Sequence, residues 1–335
     1  MTLKRRTFLA GAASTLATPL LAQMDLWNGI AETARALPQC RALAIRQSGR
    51  TVLSQVFRGP PVDSAVPIKS VSKTVVAALT GTALDRGEIA SVDVRLGDLA
   101  PRLIPRAADP RVADITVADL VTMQAGLERT SGANYGGWVS SRNWVANALS
   151  RPFVAEPGTR MLYSTGSFHF LGAVLTEVSG RSLLTLARRR LGEPLGIDVP
   201  AWTRDPQGRY MGGNEMALTL EGMVRFGEMY RQSGQFGGRQ VLSPAWVVQS
   251  FAARTRSPFS GLDYGYGWFL GETRGVGYAL ARGYGGQIIC VAPEVELTVA
   301  LTSDPTQPAR SGGYFGDIMR FVEGAIIPAA RTRMG

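Results

Sequence analysis

Short runs of alternating apolar and polar residues at both ends of the chain predict β-strands. Residues 41–57 contain two β-prone runs on either side of Ser48 and Gly49, a pair of residues typical of a hairpin turn. Residues 286–302 contain a second pair of runs, split by a turn at Pro293. We therefore expect each end of the chain to supply a strand hairpin.

Between these ends, apolar residues recur at the spacing of helices. Segments 70–85, 217–232 and 244–252 are predicted helices, and the first of them is apolar enough to be buried. Its apolar face consists of Val75, Val76, Leu79 and Ala83.

Two more helices are marked by residues at their ends. Thr116 and Asp119 form a capping box, and we expect Gly126 to end the helix that they open. The other helix is expected to end at Gly180. Its apolar face consists of Phe168, Leu171, Leu175 and Val178.

Strands at both ends with helices between them predict the α+β class. We expect an antiparallel sheet formed by both chain ends and flanked by helices, with a mostly helical insert at about 101–255. Two glycine-rich aromatic loops, 131–138 and 264–268, are predicted to form walls of a pocket.

The first 22 residues predict an export signal. They contain no acidic residue, and Lys4, Arg5 and Arg6 precede an apolar run that ends at Ala22. The adjacent arginines resemble a twin-arginine signal, with cleavage expected before Gln23 and a periplasmic or otherwise exported product. The apolar run is short for a membrane span, so we expect no stable span after its removal. An uncleaved anchor is the alternative.

Composition limits the function of the remaining domain, residues 23–335. The whole chain has 335 residues, of which 45% are hydrophobic, and this content is too high for a disordered protein. Removing Lys4, Arg5 and Arg6 lowers the formal net charge from +10 to +7. The arginines are scattered and no nucleic-acid motif accompanies them, so we expect no nucleic-acid partner. An anionic wall or membrane nearby suits the basic surface better.

Residues with useful chemistry are few. Lys69 and Lys73 are the only lysines after the predicted signal, and His169 is the only histidine in the chain. A zinc site of two or three imidazoles is therefore excluded within one chain, and we expect neither a metal nor a cofactor. Cys40 and Cys290 lie in apolar, strand-like stretches, which favours two separate buried thiols over a disulfide.

The segment Ser70-Val71-Ser72-Lys73 carries the most specific chemistry. Ser70 and Lys73 are three residues apart at the start of a helix, so their side chains share one face. A serine hydroxyl needs a base before it becomes a nucleophile, and a neutral lysine amine can be that base. Burial and the positive helix N-terminus both lower the pKa of Lys73. The alternative is a capping serine beside a solvated lysine, which the apolar neighbours of Lys73 argue against.

Several segments, in chain order, resemble the class C β-lactamase-related serine hydrolases. The chain has no Ser-Asp-Asn and no Lys-Thr-Gly sequence, so the class A pattern does not fit. The resemblance covers roughly residues 30–305 and implies a fold similar to that of β-lactamases and DD-peptidases. The matching segments are 66–73, 115–127, 156–165, 212–219 and 283–287.

The resemblance implies a role for each matching residue. Ser70 would be the acylated nucleophile, Lys73 the base for acylation, and Tyr163 the proton relay. The backbone N–H groups of Ser70 and Gln287 would form the oxyanion hole. The implied substrate-binding residues are Thr165, Tyr284, Gly285 and Gly286.

Two departures from the family pattern bear on the substrate. Thr165 replaces an asparagine, and Tyr284 replaces the lysine or histidine of a motif that helps to hold the carboxylate of β-lactams. We therefore expect a small ester or amide without that carboxylate to suit the site better. Esterases and 6-aminohexanoate-dimer hydrolases belong to this wider family.

Other functions stay open from the sequence. One is a β-lactamase or D-alanyl peptidase, and another is a non-catalytic binding protein on the same fold, which the two departures motivate. A Ser-His-Asp triad would have to use His169, but no Gly-x-Ser-x-Gly sequence is present. We expect His169 to lie at the surface or to cap a helix.

Overall fold

The strands of the molecule come mainly from its two chain ends. The computed structural model describes residues 17–332. Of the predicted signal, residues 1–16 with Arg5 and Arg6 lie outside this part, and residues 17–22 form the start of a helix that continues to Ala36. The strands are β1 (Cys40–Gln47), β2 (Arg50–Val56), β3 (Val66–Pro67), β4 (Ala217–Leu218), β5 (Gln235–Phe236), β6 (Arg239–Gln240), β7 (Thr255–Arg256), β8 (Asp263–Tyr264), β9 (Phe269–Thr273), β10 (Val276–Gly283), β11 (Gln287–Ala292) and β12 (Leu297–Ser303).

Eight of these strands form one antiparallel sheet in the order β2-β1-β12-β11-β10-β9-β8-β7. The N-terminal hairpin pairs directly with the C-terminal one through β1 and β12, where Ile45 lies opposite Val299. Within the C-terminal hairpin, β11 pairs with β12, and Ile289 lies opposite Ala300. Strands β11 and β12 are buried along their whole length, as expected for central strands covered on both faces. The first hairpin turns at Ser48 and Gly49, which both have positive φ.

Ten of the α-helices in the described chain, α2 to α11, lie between the two hairpins. The helices are α1 (Ala17–Ala36), α2 (Val71–Asp85), α3 (Leu96–Leu99), α4 (Val117–Val121), α5 (Tyr135–Val139), α6 (Trp144–Leu149), α7 (Thr165–Ser179), α8 (Leu183–Ala187), α9 (Glu193–Leu195), α10 (Leu220–Arg231), α11 (Pro244–Ser250), α12 (Tyr314–Phe321) and α13 (Ile327–Thr332).

Helices cover both faces of the sheet. On one face α10 packs so closely that a Cβ at Gly227 would lie 2.6 Å from Thr298 and 2.9 Å from Ile289. On the other face Tyr278 donates a hydrogen bond to Glu323, between α12 and α13. Helix α2 lies beside β10 and β11, and α7 packs against α2 on its far side. This arrangement buries α2 between the sheet and the helical region.

The predicted α+β class, with a sheet built from both chain ends, is confirmed by this topology. Helix α7 ends at Gly180, which has φ of +64°, also as predicted. The thiols of Cys40 and Cys290 are free and buried, so the prediction of two separate thiols is confirmed as well. Burial raises the pKa of both thiols.

Two predicted helix boundaries are wrong. Helix α4 ends at Val121, because Met123 takes a left-handed conformation before the chain reaches Gly126. Helix α10 begins at Leu220 rather than at residue 217, because β4 pairs with β3 and Thr219 caps the helix.

Within residues 17–332, no single helix is long and apolar enough to cross a membrane. Only the pair Thr165–Ser179 and Leu183–Leu195 passes the length and composition test together, and these helices meet at a bend of 82°.

Candidate active site

Ser70 lies at the N-terminal end of α2, where the backbone presents its hydroxyl to a cavity. Ser70 occupies the N-cap position of α2, but its side chain makes no capping hydrogen bond. The residue lines the cavity instead. The preceding Lys69 has φ of +51°, a strained conformation for a residue with a side chain. Lys69 pairs with Glu215 at 3.2 Å, and Glu215 is also left-handed. This ion pair fixes the turn that leads to Ser70.

Lys73 lies one helical turn after Ser70 and is only 2% exposed. Its Nζ is 3.1 Å from Ser70 Oγ, 3.2 Å from Thr165 Oγ1 and 2.7 Å from the Gly213 carbonyl oxygen. Burial lowers the pKa of Lys73 to about 7. A neutral amine has two hydrogens and one lone pair. Thr165 and Gly213 accept the two hydrogens, which leaves the lone pair for the Ser70 hydroxyl.

Tyr163 approaches Ser70 from the segment before α7. Both residues line the same cavity, and the Tyr163 ring centre is 4.9 Å from Lys73 Nζ. Burial raises the pKa of Tyr163, while the nearby Ser70 hydroxyl and Arg282 guanidinium oppose that rise. The structure therefore brings Ser70, Lys73 and Tyr163 together around one hydroxyl group.

Thr165 and Ser131 take the place that an asparagine side chain would fill. Ser131 Oγ is 3.0 Å from Thr165 Oγ1 and accepts a hydrogen bond from the Thr165 N–H at 2.9 Å. Thr165 in turn accepts from Lys73. The sequence analysis placed Ser131 only in a predicted pocket wall and assigned no role to the Gly213 carbonyl oxygen, because their contacts join segments distant in sequence.

The end of β10 forms the wall opposite α2. A Cβ on Gly283 would lie 2.4 Å from the Ile68 carbonyl oxygen, so only glycine lets this strand pass so close to the nucleophile. The next residue, Tyr284, lines the same cavity as Ser70. Within residues 17–332, neither the Ser70 nor the Tyr284 backbone N–H donates to a protein acceptor. Two free N–H groups therefore lie at the cavity beside the Ser70 hydroxyl.

Gln287, Gly285 and Gly286 do not line this cavity. Gln287 is buried at the start of β11, and its side chain bonds to the backbone of Tyr284 and Ser303. Gly285 and Gly286 have φ of +82° and +96° and form the turn of the β10–β11 hairpin. Their role in the structure is to shape this turn.

The cavity in front of Ser70 has a volume of about 570 Å³. Loop 131–138 forms part of its wall through Ser131, Gly132 and Tyr135, as predicted. The same prediction for loop 264–268 is wrong, because Trp268 is buried in the core and the Gly267 carbonyl accepts a hydrogen bond from Thr74 on α2. Residues 17–332 contain no cluster of three His, Cys, Asp or Glu side chains suited to a metal.

The expectation for His169 is also wrong, because the residue is fully buried. Its Nε2 lies 3.1 Å from Asp205, and its Nδ1 accepts a hydrogen bond from the Gly212 N–H at 3.4 Å. Trp138 and Trp144 contact the His169 ring edge-on. They lie on the side of α7 away from its predicted apolar face. His169 lies outside the cavity and holds the backbone of Gly212. The next residue is Gly213, whose carbonyl oxygen accepts a hydrogen bond from Lys73.

Comparison with known proteins agrees with this geometry. A profile of the β-lactamase family matches residues 31–315. The chain therefore belongs to the β-lactamase family and is one of its serine hydrolases.

Individual relatives are distant in sequence but similar in fold. Penicillin-binding protein 4 of Amycolatopsis lactamdurans is 26% identical over 309 residues, which covers 79% of this chain and 77% of the relative. A Bacillus anthracis protein described as a 6-aminohexanoate-dimer hydrolase has a TM-score of 0.76 at 15% identity, with 92% of this chain and 82% of that chain covered. EstCE1, a hydrolase with promiscuous acyltransferase activity, has a TM-score of 0.75 at 18% identity, with 91% and 100% covered.

The substitution His169→Phe tests whether the buried pair stabilises this region. Phenylalanine keeps an aromatic ring between Trp138 and Trp144 but leaves Asp205 and the Gly212 N–H without their partner. We expect the free energy of unfolding to fall by about 2 kcal/mol, measured by urea denaturation. The control is Arg209→Met, which removes only a contact of 3.7 Å to Asp205 and should cost less than about 0.5 kcal/mol. Equal stability of both variants would contradict this account.

Proposed function

We propose that this protein is an exported serine hydrolase that cleaves a small ester or amide through an acyl-enzyme on Ser70. The observation that carries the proposal is the contact of 3.1 Å between Ser70 Oγ and the Nζ of the buried Lys73. A lysine with a pKa of about 7 is neutral in about half of the molecules at pH 7, and the neutral amine can accept a proton.

Acylation begins when Ser70 Oγ attacks the substrate carbonyl carbon. The hydroxyl proton passes to the lone pair of Lys73, which becomes an ammonium ion beside two oxygen acceptors. The carbonyl oxygen becomes an oxyanion at the N-terminal end of the 15-residue helix α2, where the helix dipole favours negative charge.

The oxyanion hole consists of the Ser70 and Tyr284 backbone N–H groups. Both line the cavity without a protein acceptor within the described chain. This proposal replaces the N–H of Gln287 with that of Tyr284, since Gln287 lies across the hairpin from Gly283 and outside the cavity.

Tyr163 completes the cycle as the proton relay. Its hydroxyl donates a proton to the leaving alcohol or amine as the bond to the carbonyl carbon breaks, and Lys73 replaces that proton. In the second half, a water molecule attacks the acyl carbon and its proton passes to Tyr163, while the proton of Tyr163 moves to the neutral Lys73. Lys73 then returns that proton to Ser70 Oγ as the bond between Oγ and the acyl carbon breaks and the acid leaves. The position of Tyr163 in the same cavity as Ser70, with its ring centre 4.9 Å from Lys73 Nζ, supports this role.

The substrate class is proposed from the cavity and from the named relatives. A volume of about 570 Å³ accommodates a small molecule, and five aromatic residues are among those that line it: Tyr135, Tyr163, Phe259, Phe269 and Tyr284. EstCE1 is described as a hydrolase with promiscuous acyltransferase activity, and the Bacillus anthracis protein is described as a 6-aminohexanoate-dimer hydrolase.

Export is proposed from the sequence of the first 22 residues. We expect the full-length gene, expressed in a bacterium with a twin-arginine pathway, to yield periplasmic protein. Its intact mass should correspond to a chain whose first residue is Gln23. Replacing Arg5 and Arg6 with lysine should keep the protein in the cytoplasm with its original N-terminus. Export of that double variant would contradict the twin-arginine assignment.

Covalent labelling tests the nucleophile directly. We expect a neutral fluorophosphonate to add one adduct to the protein, detected by intact mass, and no adduct to the Ser70→Ala variant. Lys73→Met should label at least about 100-fold more slowly, because the base is lost. The control is Ser257→Ala, a serine that lines the same cavity, which should label like the parent.

Two results would overturn the hydrolase proposal. No adduct on folded parent protein would favour a binding protein on this fold, and an adduct that survives Ser70→Ala would identify another serine. Turnover of a penicillin or cephalosporin, tested on the same samples, would instead place the enzyme among the β-lactamases.

The labelling rate should also depend on pH in a defined direction. The base must be neutral, so protonation of Lys73 below its pKa of about 7 abolishes its function. We expect the rate to rise with pH, to reach half its maximum near pH 7, and then to level off. A midpoint near 10, the ordinary pKa of lysine, would show that Lys73 is not the base.

A further inference from the structure

Arg129 is a charged residue of the cavity that the proposed mechanism does not use. Its backbone is fixed, since its carbonyl oxygen accepts hydrogen bonds from Asn134 at 3.0 Å and Arg151 at 3.5 Å. Its guanidinium lies over the ring of Phe259, 5.2 Å from the ring centre. Within residues 17–332, the Arg129 side chain has no carboxylate partner and no hydrogen-bond acceptor. Its N–H groups are therefore available to a ligand.

The charges around Arg129 leave the cavity positive. Glu215 is the only acidic residue in the cavity wall that the structure describes, and Lys69 already pairs with it at 3.2 Å. Arg282 adds a second guanidinium, which packs on Phe315 and bonds to Ser311 Oγ but has no carboxylate partner in the described chain. Lys73 adds no full charge when it acts as a base. Two guanidinium charges therefore face a cavity without a compensating anion.

We propose that Arg129 binds a carboxylate group of the substrate, so that the enzyme selects esters or amides that carry a negative charge. This inference rests on the proposed hydrolase function and adds the substrate class. Arg282 contributes to the positive potential from the opposite wall, where it also acts on Tyr163.

The chemistry of the site favours a carboxylate over other ligands. A guanidinium presents planar pairs of N–H donors that match the two oxygens of a carboxylate. The contact with the Phe259 ring is a cation–π contact that supplies no oxygen acceptor, so the guanidinium N–H groups remain available to a carboxylate. The side chain is half-buried, so its attraction to an anion is screened less than at an open surface.

This inference revises the expectation drawn from Tyr284. The sequence motif indicated that a positive charge for a substrate carboxylate is missing, because a tyrosine stands where lysine or histidine is usual. The structure places Arg129 and Arg282 in the same cavity instead. Neither arginine belongs to the motif, so their position could not be read from it.

Two pairs of matched esters test the proposal. In the first, the charge is on the acyl group: the p-nitrophenyl monoester of glutaric acid against its neutral amide analogue. In the second, it is on the leaving group: the butanoate ester of p-hydroxybenzoic acid against that of p-hydroxybenzamide. We expect kcat/KM to favour the charged member of at least one pair by about 10- to 100-fold, and the responding pair identifies which half of the substrate Arg129 binds.

Variants then assign the preference to Arg129. In Arg129→Met the ratio of charged to neutral kcat/KM should fall to about 1, and Arg129→Lys should lie between this variant and the parent, because it keeps the charge without the planar donors. The matched control is Arg106→Met, an exposed arginine outside the cavity, which should keep the parent ratio.

The outcomes separate this inference from the proposed function. Fluorophosphonate labelling of Ser70 in every variant confirms folding and an active nucleophile, and its absence in the parent would overturn the hydrolase proposal itself. With labelling intact, no preference in either pair, or a preference that persists in Arg129→Met, would overturn only the role of Arg129. Should Arg129→Met fail to fold, the ratio in Arg129→Lys decides: an unchanged value would overturn the proposal.

Discussion

The site depends on keeping one lysine uncharged inside the protein. Charged groups are costly to bury without a partner, so burial shifts Lys73 toward its neutral form. No carboxylate opposes this shift at Lys73 within the described chain, since its hydrogen-bond partners are Ser70, Thr165 and the Gly213 carbonyl. A carboxylate in their place would favour the ammonium ion and remove the base. The surrounding residues can thus be understood as a neutral, oxygen-rich environment for a single amine.

This environment is assembled from two parts of the fold. Helix α2 carries Ser70 and Lys73, and the helical region supplies Tyr163 and Thr165 at the start of α7. The sheet supplies the other wall through β10, which approaches α2 closely because Gly283 has no side chain. Each part alone presents an incomplete set of groups. Precise packing of α2 against both is therefore a condition for chemistry as well as for stability.

The sequence predicted features that depend on neighbours along the chain. Hairpins at both ends follow from β-prone runs around turn residues, and the Ser70–Lys73 contact follows from helical spacing. What it missed depends on contacts between distant segments. His169 lies opposite the apolar face of α7, as its spacing suggests, but Trp138 and Trp144 cover that side and Asp205 supplies a partner 36 residues away. Backbone groups such as the Gly213 carbonyl carry no residue-type signal at all.

The pairing of the first long strand with the last has a consequence for synthesis. Strand β1 has only β2 as a neighbour until β12 leaves the ribosome, about 250 residues later, because β12 is its second partner. The tight turn after β10 is likewise made near the end of translation. A truncation before β12 removes the centre of the sheet. We therefore expect the cavity around Ser70 to be assembled only after β12 has been synthesised, late in translation.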